Sequence, residues 1–274
     1  MVVESGERSG FSSTKGDKVL IEKEKTSEGT SIKKVIAVMS GKGGVGKSSV
    51  TSLIGVALRK KGLNIGIMDA DITGPSIPRI FGLRGVRAVT LDTGVEPVET
   101  STGIKVISLN LMMEDEDAPV IWRGPVIAGV VKQFYTDVNW GELDFLLVDL
   151  PPGTGDVPLT IMQSLPVDGV VIVSSPQDMV QTAVRKSIKM VQMMNTPIVG
   201  IIENMSYFRC PDSHKDYYIF GRSNVEETAN KYNLELLTKL PIEPKFVEMC
   251  DEGKIEQYHN EDFMNKDNFV DKIL

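Results

Sequence analysis

The stretch from Lys34 to Ser49, "KVIAVMSGKGGVGKSS", constrains this chain more than any other. Its first seven residues are almost continuously apolar and rich in β-branched types, which predicts a strand buried on both faces. The stretch "KSSVTSLIGVALRKKG" follows with helical period, predicting a helix over Lys47 to Lys61 that stops at Gly62. Between strand and helix, Gly41, Gly46, Lys47 and Ser48 complete the pattern G-x-x-x-x-G-K-[ST]. Glycines let successive backbone N–H groups turn toward one point, and the helix N-terminus adds its dipole there. Residues Gly41, Lys42, Gly43, Gly44, Val45, Gly46, Lys47, Ser48 and Ser49 therefore read as the cradle of a nucleotide polyphosphate. Lys47 supplies a point charge, and the Ser48 hydroxyl is a candidate Mg²⁺ ligand. Lys42 is a second lysine that the pattern does not require.

Further apolar runs alternate with helical segments along the chain. They are "NIGIMDA", "IKVISLN", "DFLLVDL", "DGVVIVSS", "PIVGIIENM" and "LELLTKL". Helix candidates include Pro125 to Val138 and Asp178 to Asn195, with Met190, Met193 and Met194 of the latter read as core filling. This alternation predicts an α/β fold, a doubly wound, mostly parallel sheet with helices on both faces. One domain is expected over residues 31–274. Residues 1–30, mixing Glu, Lys, Ser, Gly and Thr, read as a mobile polar tail. Residues 82–103 form a Gly- and Thr-rich connection, and residues 205–221, "MSYFRCPDSHKDYYIFG", a polar and aromatic insertion.

Two strand ends carry carboxylates that belong with the glycine loop. "FLLVDLPPGTGD" ends a strand at Asp149, a candidate Mg²⁺ ligand, and Gly153 and Gly155 follow in a loop suited to approach a terminal phosphate. "MDADITGPSIPR" carries Asp69 and Asp71. Each has a structural reading as a helix cap. Taken together beside a Mg-nucleotide, one would anchor its loop while Asp71, nearer the loop, orients the attacking water or a metal-bound water.

The remaining composition limits partners. A formal net charge of −7 disfavours a broad basic face for nucleic acid. No run reaches the length of a membrane span, and the opening residues lack the apolar core of a secretory signal. With two cysteines, Cys210 and Cys250, a disulfide framework is excluded and a reducing, cytoplasmic setting is expected.

The segments "GKGGVGKSS", "DADITGPSIPR", "WRGP", "VDLPPGTGD" and "ENMSYF" together resemble the Mrp/ApbC group of P-loop ATPases, in the class that includes MinD, ParA and the nitrogenase iron protein. The resemblance spans about residues 31–257. It implies an ATP-hydrolysing carrier of iron–sulfur clusters that acts as a homodimer, serving apo iron–sulfur proteins and receiving from cluster donors. It implies that Lys42 reaches across the dimer to the partner's phosphates, as in a deviant Walker A loop, and that Asn204 contacts adenine. It also implies a C-P-x-C cluster motif, two thiolates per subunit. Here the stretch is "RCPDSHK": Cys210 is present and Ser213 stands in the second cysteine's place. Any cluster site then rests on Cys210, with His214 as a further candidate and Cys250 read as a partly buried helix residue. A MinD- or ParA-like spatial organiser is the alternative, as is a carrier-family ATPase that no longer holds a cluster itself. The organiser needs a basic amphipathic terminus or a basic DNA-facing surface, and the terminal "NEDFMNKDNFVDKIL" is acidic. A metabolic kinase or synthetase would require a substrate constellation that the sequence lacks.

Overall fold

A computed structural model describes residues 24–114, 122–259 and 269–274. In chain order the elements begin with β1 (Ser31–Ser40), α1 (Lys47–Lys60), β2 (Ile65–Asp69), α2 (Ile77–Ile80), β3 (Val89–Leu91), β4 (Gly94–Glu96), β5 (Val98–Glu99) and β6 (Lys105–Ile107). They continue with α3 (Gly124–Thr136), β7 (Glu142–Asp149), α4 (Asp156–Ser164), β8 (Gly169–Ser174), α5 (Asp178–Met193) and β9 (Ile198–Glu203). The chain then forms β10 (Phe208–Arg209), β11 (Asp216–Tyr217), α6 (Val225–Lys231), β12 (Leu236–Lys239) and α7 (Pro244–Asp251).

Eight strands form one sheet in the order β12-β9-β8-β1-β7-β2-β6-β5, parallel throughout except for β5, which runs antiparallel on the edge. The predicted α/β architecture is the one observed. Strand β1 sits between β7 and β8, and its residues from Val35 to Met39 are buried on both faces. That is why the strand reads as an uninterrupted apolar run instead of an alternating one. Helix α1 begins after Gly46, whose φ of 77° places it in the left-handed region that glycine adopts without steric cost. It then packs Val50, Leu53, Ile54, Ala57 and Leu58 into the core. Register fixes the site: Val38 of β1 and Asp69 of β2 both pair with Asp149 of β7. Two strand-ending carboxylates thus lie side by side where β1 runs out into the glycine loop.

Four sequence readings change in detail. The connection over 82–103 contains the β3–β4 hairpin and the edge strand β5. The run "IKVISLN" is strand only over Lys105–Ile107, followed by a 3₁₀ turn over Leu109–Leu111. Of the expected tail, residues 1–23 lie outside the described residues. Its last part runs against the domain: Glu24 donates its N–H to the Ser164 carbonyl and pairs with Lys132 at 2.6 Å, and the Ser27 hydroxyl donates to the Val138 carbonyl. Finally, Met190 and Met194 pack against the core, whereas Met193 is 83% exposed. Val184, Ile188 and Val191 carry the buried face of α5, and Met193 lies on the opposite side of the helix while Met190 and Met194 flank that face.

The turns that follow α2 and α7 pass each other at backbone distance, and Arg79 of α2 pairs with Asp251 of α7 at 3.4 Å. A Cβ at Gly82, just past α2, would lie 2.7 Å from the Gly253 carbonyl oxygen, and one at Gly253 would lie 2.4 Å from the Gly82 Cα. Both glycines have positive φ, so each position combines a turn requirement with a steric one.

Candidate nucleotide site

Lys47 is the first residue of α1 and is 6% exposed. Its ammonium lies 2.7 Å from Asp149 Oδ2, and Asp149 is fully buried at the end of β7. The Ser48 hydroxyl donates to the same oxygen at 2.6 Å, and the Thr51 hydroxyl donates to Oδ1 at 2.8 Å. Each Asp149 oxygen is therefore matched, which a buried carboxylate needs to offset its desolvation. Thr51 escaped the sequence reading. The signal was a hydroxyl four residues after Lys47, on the helix face that also carries buried apolar residues.

The neighbouring carboxylates take different roles. Asp69, also fully buried, accepts N–H bonds from Ser76 and Ile77 at 3.1 and 3.2 Å on Oδ2, and from Asp71 at 3.2 Å on Oδ1. It pins the loop between β2 and α2 to the sheet edge. Burial, and then the charge of Asp149, push its carboxyl up to about 8, against the opposing pull of Lys47. Asp71 is half-buried, with its own carboxyl raised first by burial, and takes a bond from the Thr73 hydroxyl at 3.2 Å. Of the two, Asp71 is the one with access to solvent. Replacing Asp71 by alanine is expected to leave nucleotide affinity within about threefold while lowering turnover at least about tenfold, a range typical of losing one positioning or proton-accepting group. Titration calorimetry paired with phosphate release checks it, and equal turnover would remove Asp71 from the chemistry.

The glycine loop is held from three sides. The Ser40 hydroxyl donates to the Lys42 carbonyl at 2.9 Å, and Gly153 N–H donates to the Ser40 carbonyl at 2.8 Å, tying the loop after β7 to the end of β1. A Cβ at Gly41 would overlap Ala183 of α5 at 2.5 Å, so the chain passes α5 at backbone distance. The Asn204 amide donates to the Val45 carbonyl at 3.1 Å, and a Cβ at Gly46 would stand 2.3 Å from that amide nitrogen. Lys42, Gly43 and Gly44 remain exposed on the outer rim. Ser49 is half-buried and engages the Cys250 thiol, which burial pushes up to about 11.

The insertion leaves β9 at the same sheet edge. Strands β10 and β11 form a short hairpin, closed by paired bonds from Arg209 to Asp216 at 2.8 and 3.0 Å. Cys210 opens the turn: its N–H donates to the Lys215 carbonyl, and its carbonyl accepts from His214 N–H. The Ser213 hydroxyl and the N–H groups of Ser213 and Asp212 converge on the Cys210 sulfur and lower its pKa from the ordinary thiol value. Ser213 thus sits beside Cys210, within hydrogen-bond reach of its sulfur. His214 holds positive φ in the same turn. Beyond it, Tyr217, Tyr218, Ile219 and Phe220 form an exposed apolar stretch. Among the described residues, no group of three or more His, Cys, Asp or Glu side chains is arranged to hold a metal ion, and no helix is long and apolar enough to cross a membrane.

A glycine loop capping a helix at the carboxyl edge of a parallel sheet, with a buried lysine and a strand-ending aspartate in contact, defines a P-loop nucleotide-binding protein. Residues 31–274 match the family model described as ParA: NUBPL iron-transfer P-loop NTPase, and the chain belongs to that family. It is 49% identical over 234 residues to an iron-sulfur cluster carrier protein from Clostridium perfringens (strain 13 / Type A), covering 83% of this chain and 82% of that protein. It is 41% identical over 243 residues to the cytosolic Fe-S cluster assembly factor CFD1 of Eremothecium gossypii, covering 86% and 85%. Among solved structures it is similar to a nucleotide-binding protein from Archaeoglobus fulgidus in complex with ADP. The TM-score is 0.76 at 44% identity, covering 86% of this chain and 91% of that one.

Proposed function

We propose that this chain is an ATP-driven iron–sulfur cluster carrier that works in the cytoplasm as a homodimer. One observation carries the reading. A cysteine whose pKa is lowered by hydrogen bonds from its own turn stands in the hairpin that follows β9, the strand whose end reaches the glycine loop through Asn204. The names of the similar proteins support cluster transport as the purpose of that pairing.

The nucleotide half would work by positioning and charge. Backbone N–H groups from Gly41 to Ser49 cradle the phosphates, and Lys47 leaves Asp149 for the phosphate oxygens when nucleotide enters. Ser48 and Asp149 offer the hard oxygen donors that Mg²⁺ prefers, already in mutual contact at 2.6 Å, so the donor set fits the ion. Bound there, Mg²⁺ would neutralise charge on the phosphates. Asp71 would orient the attacking water, Gly153 would approach the terminal phosphate, and Asn204 would meet adenine. Hydrolysis is slow in this reading, because no dedicated base of high basicity is provided. Lys42, exposed on the rim, would complete the partner subunit's site. The apolar stretch from Tyr217 to Phe220, beside Cys210, offers a surface for the second copy.

The cargo half is short of thiolates. Each subunit contributes one thiolate from Cys210, so a cluster bridging two subunits would have two cysteine sulfurs and would need His214, a small thiol or a client protein to complete it. A second reading has a specific observation behind it. Because Ser213 already serves as a hydrogen-bond donor to the Cys210 sulfur, the chain could keep the ATPase cycle while a partner holds the cluster.

Anaerobic reconstitution with iron and sulfide separates the two. Wild type is expected to take up iron weakly, with a cluster absorption that a thiol competitor removes. Cys210→Ala should lose the absorption altogether, and Ser213→Cys should gain iron retention, read by iron counting after gel filtration. A spectrum indifferent to Cys210→Ala overturns the site. No iron in wild type, with iron held by Ser213→Cys, favours the ATPase that relies on a partner.

A further inference from the structure

The turn between β9 and the Cys210 hairpin contains a buried glutamate that the nucleotide site does not use. Glu203, the last residue of β9, is fully buried. Its Oε1 accepts the Ser206 hydroxyl at 2.6 Å, while Oε2, equally buried, has no hydrogen-bond partner among the described residues. A buried acceptor without a donor is costly, and a glutamine there would accept from Ser206 through its one oxygen only. The carboxylate therefore offers Ser206 two chemically equal seats, of which one is taken.

The residues around this pair connect the two halves of the site. On one side, Asn204 donates to the Val45 carbonyl inside the glycine loop at 3.1 Å. Met205 follows with φ of 55°, a left-handed conformation that a methionine holds only under surrounding constraint. On the other side, Ser206 N–H donates to the Leu240 carbonyl, and Ile242 N–H donates to the Tyr207 carbonyl at 2.6 Å. The Arg209 guanidinium lies 5.6 Å from the Tyr207 ring centroid and closes the hairpin on Asp216. Cys210 comes next. Four of the residues from Asn204 to Arg209 are thus tied by named contacts: Asn204, Ser206, Tyr207 and Arg209.

The geometry points to Glu203 as a positioning residue, a two-seat latch for Ser206 through which occupancy of the glycine loop changes the setting of Cys210. When phosphate draws the Val45–Gly46 peptide toward itself, Asn204 follows its acceptor or loses it. Ser206 then shifts from one Glu203 oxygen to the other without breaking its bond to the carboxylate. Such a discrete rearrangement is what a coupling path requires. The inference rests on the proposed reading of the glycine loop as the ATP site.

The test uses the iron-free full chain, with and without Mg²⁺ and a non-hydrolysable ATP analogue. The readout is the rate of Cys210 alkylation by iodoacetamide, resolved from Cys250 by mass spectrometry. Nucleotide is expected to change the wild-type rate by about fivefold, the lower end of typical coupling. Glu203→Gln keeps the resting acceptor and removes the second seat, so it should retain analogue affinity by calorimetry and lose most of the rate change. Ser206→Ala should behave alike, and Ser206→Thr should restore the response. A full response in Glu203→Gln overturns the latch, as does an unresponsive Cys210 in wild type that binds the analogue. Failure of wild type to bind the analogue overturns the ATP-site reading and this inference with it.

Discussion

Lys47→Ala is expected to abolish nucleotide binding and to destabilise the nucleotide-free fold. The two effects have one origin. The ammonium that would meet the phosphates lies 2.7 Å from Asp149 Oδ2 in a nearly solvent-free setting. Removing it takes away the principal positive charge of the cradle. It also leaves a fully buried carboxylate supported by the Ser48 and Thr51 hydroxyls alone. Breaking a buried pair from one side costs roughly 3–5 kcal/mol, because the abandoned charge stays desolvated. The double variant Lys47→Ala with Asp149→Asn removes the orphaned charge. It should recover most of the stability while recovering no binding, read by denaturant unfolding and by calorimetry with Mg-ATP. Wild-type affinity in Lys47→Ala would show that the nucleotide lies elsewhere.

Mixing two inactive variants is expected to restore hydrolysis if Lys42 works across a dimer. In a heterodimer of Lys42→Ala with Lys47→Ala, the site built on the first subunit keeps its own Lys47 and receives Lys42 from the second. The other site lacks both lysines. With random pairing, half the dimers carry one complete site, so the mixture should regain about a quarter of wild-type turnover, since charge supplied to the developing transition state accounts for most of the rate in this chemistry. Turnover is measured as phosphate release, and heterodimers are verified with two affinity tags. Verified heterodimers with no activity would assign Lys42 to its own subunit or to no catalytic role.

The nucleotide half of the site was legible because its chemistry is local. Glycines, Lys47 and Ser48 are consecutive, and each carboxylate ends an apolar run, so strand order alone could bring Asp69 and Asp149 to the loop. Of the expected division between the carboxylates, the structure shows the anchoring half: Asp69 holds N–H groups of Ser76 and Ile77, while Asp71 is half-buried. What could not be read was contact across long separations. Thr51 looked like one more helix residue, and its bond to Asp149 depends on how α1 lies against β7. Glu203 and Ser206 are three positions apart, but the burial that makes their bond consequential comes from the sheet around them. Met193 failed for the opposite reason: composition suggested burial, and helical phase turned it outward.

The backbone seam between Gly82 and Gly253 sets an order of events during synthesis. The loop that carries Asp69 and Asp71 leads straight into α2, and α2 is braced by the turn after α7, near the other end of the described chain. While a chain is still emerging from the ribosome, β1, the glycine loop and α1 are available early, whereas the brace on α2 is among the last contacts to close. The glycine loop itself waits to be held by Gly153, Ala183 and Asn204, and the loop that carries Asp69 and Asp71 waits longer still, for the turn after α7 that braces α2.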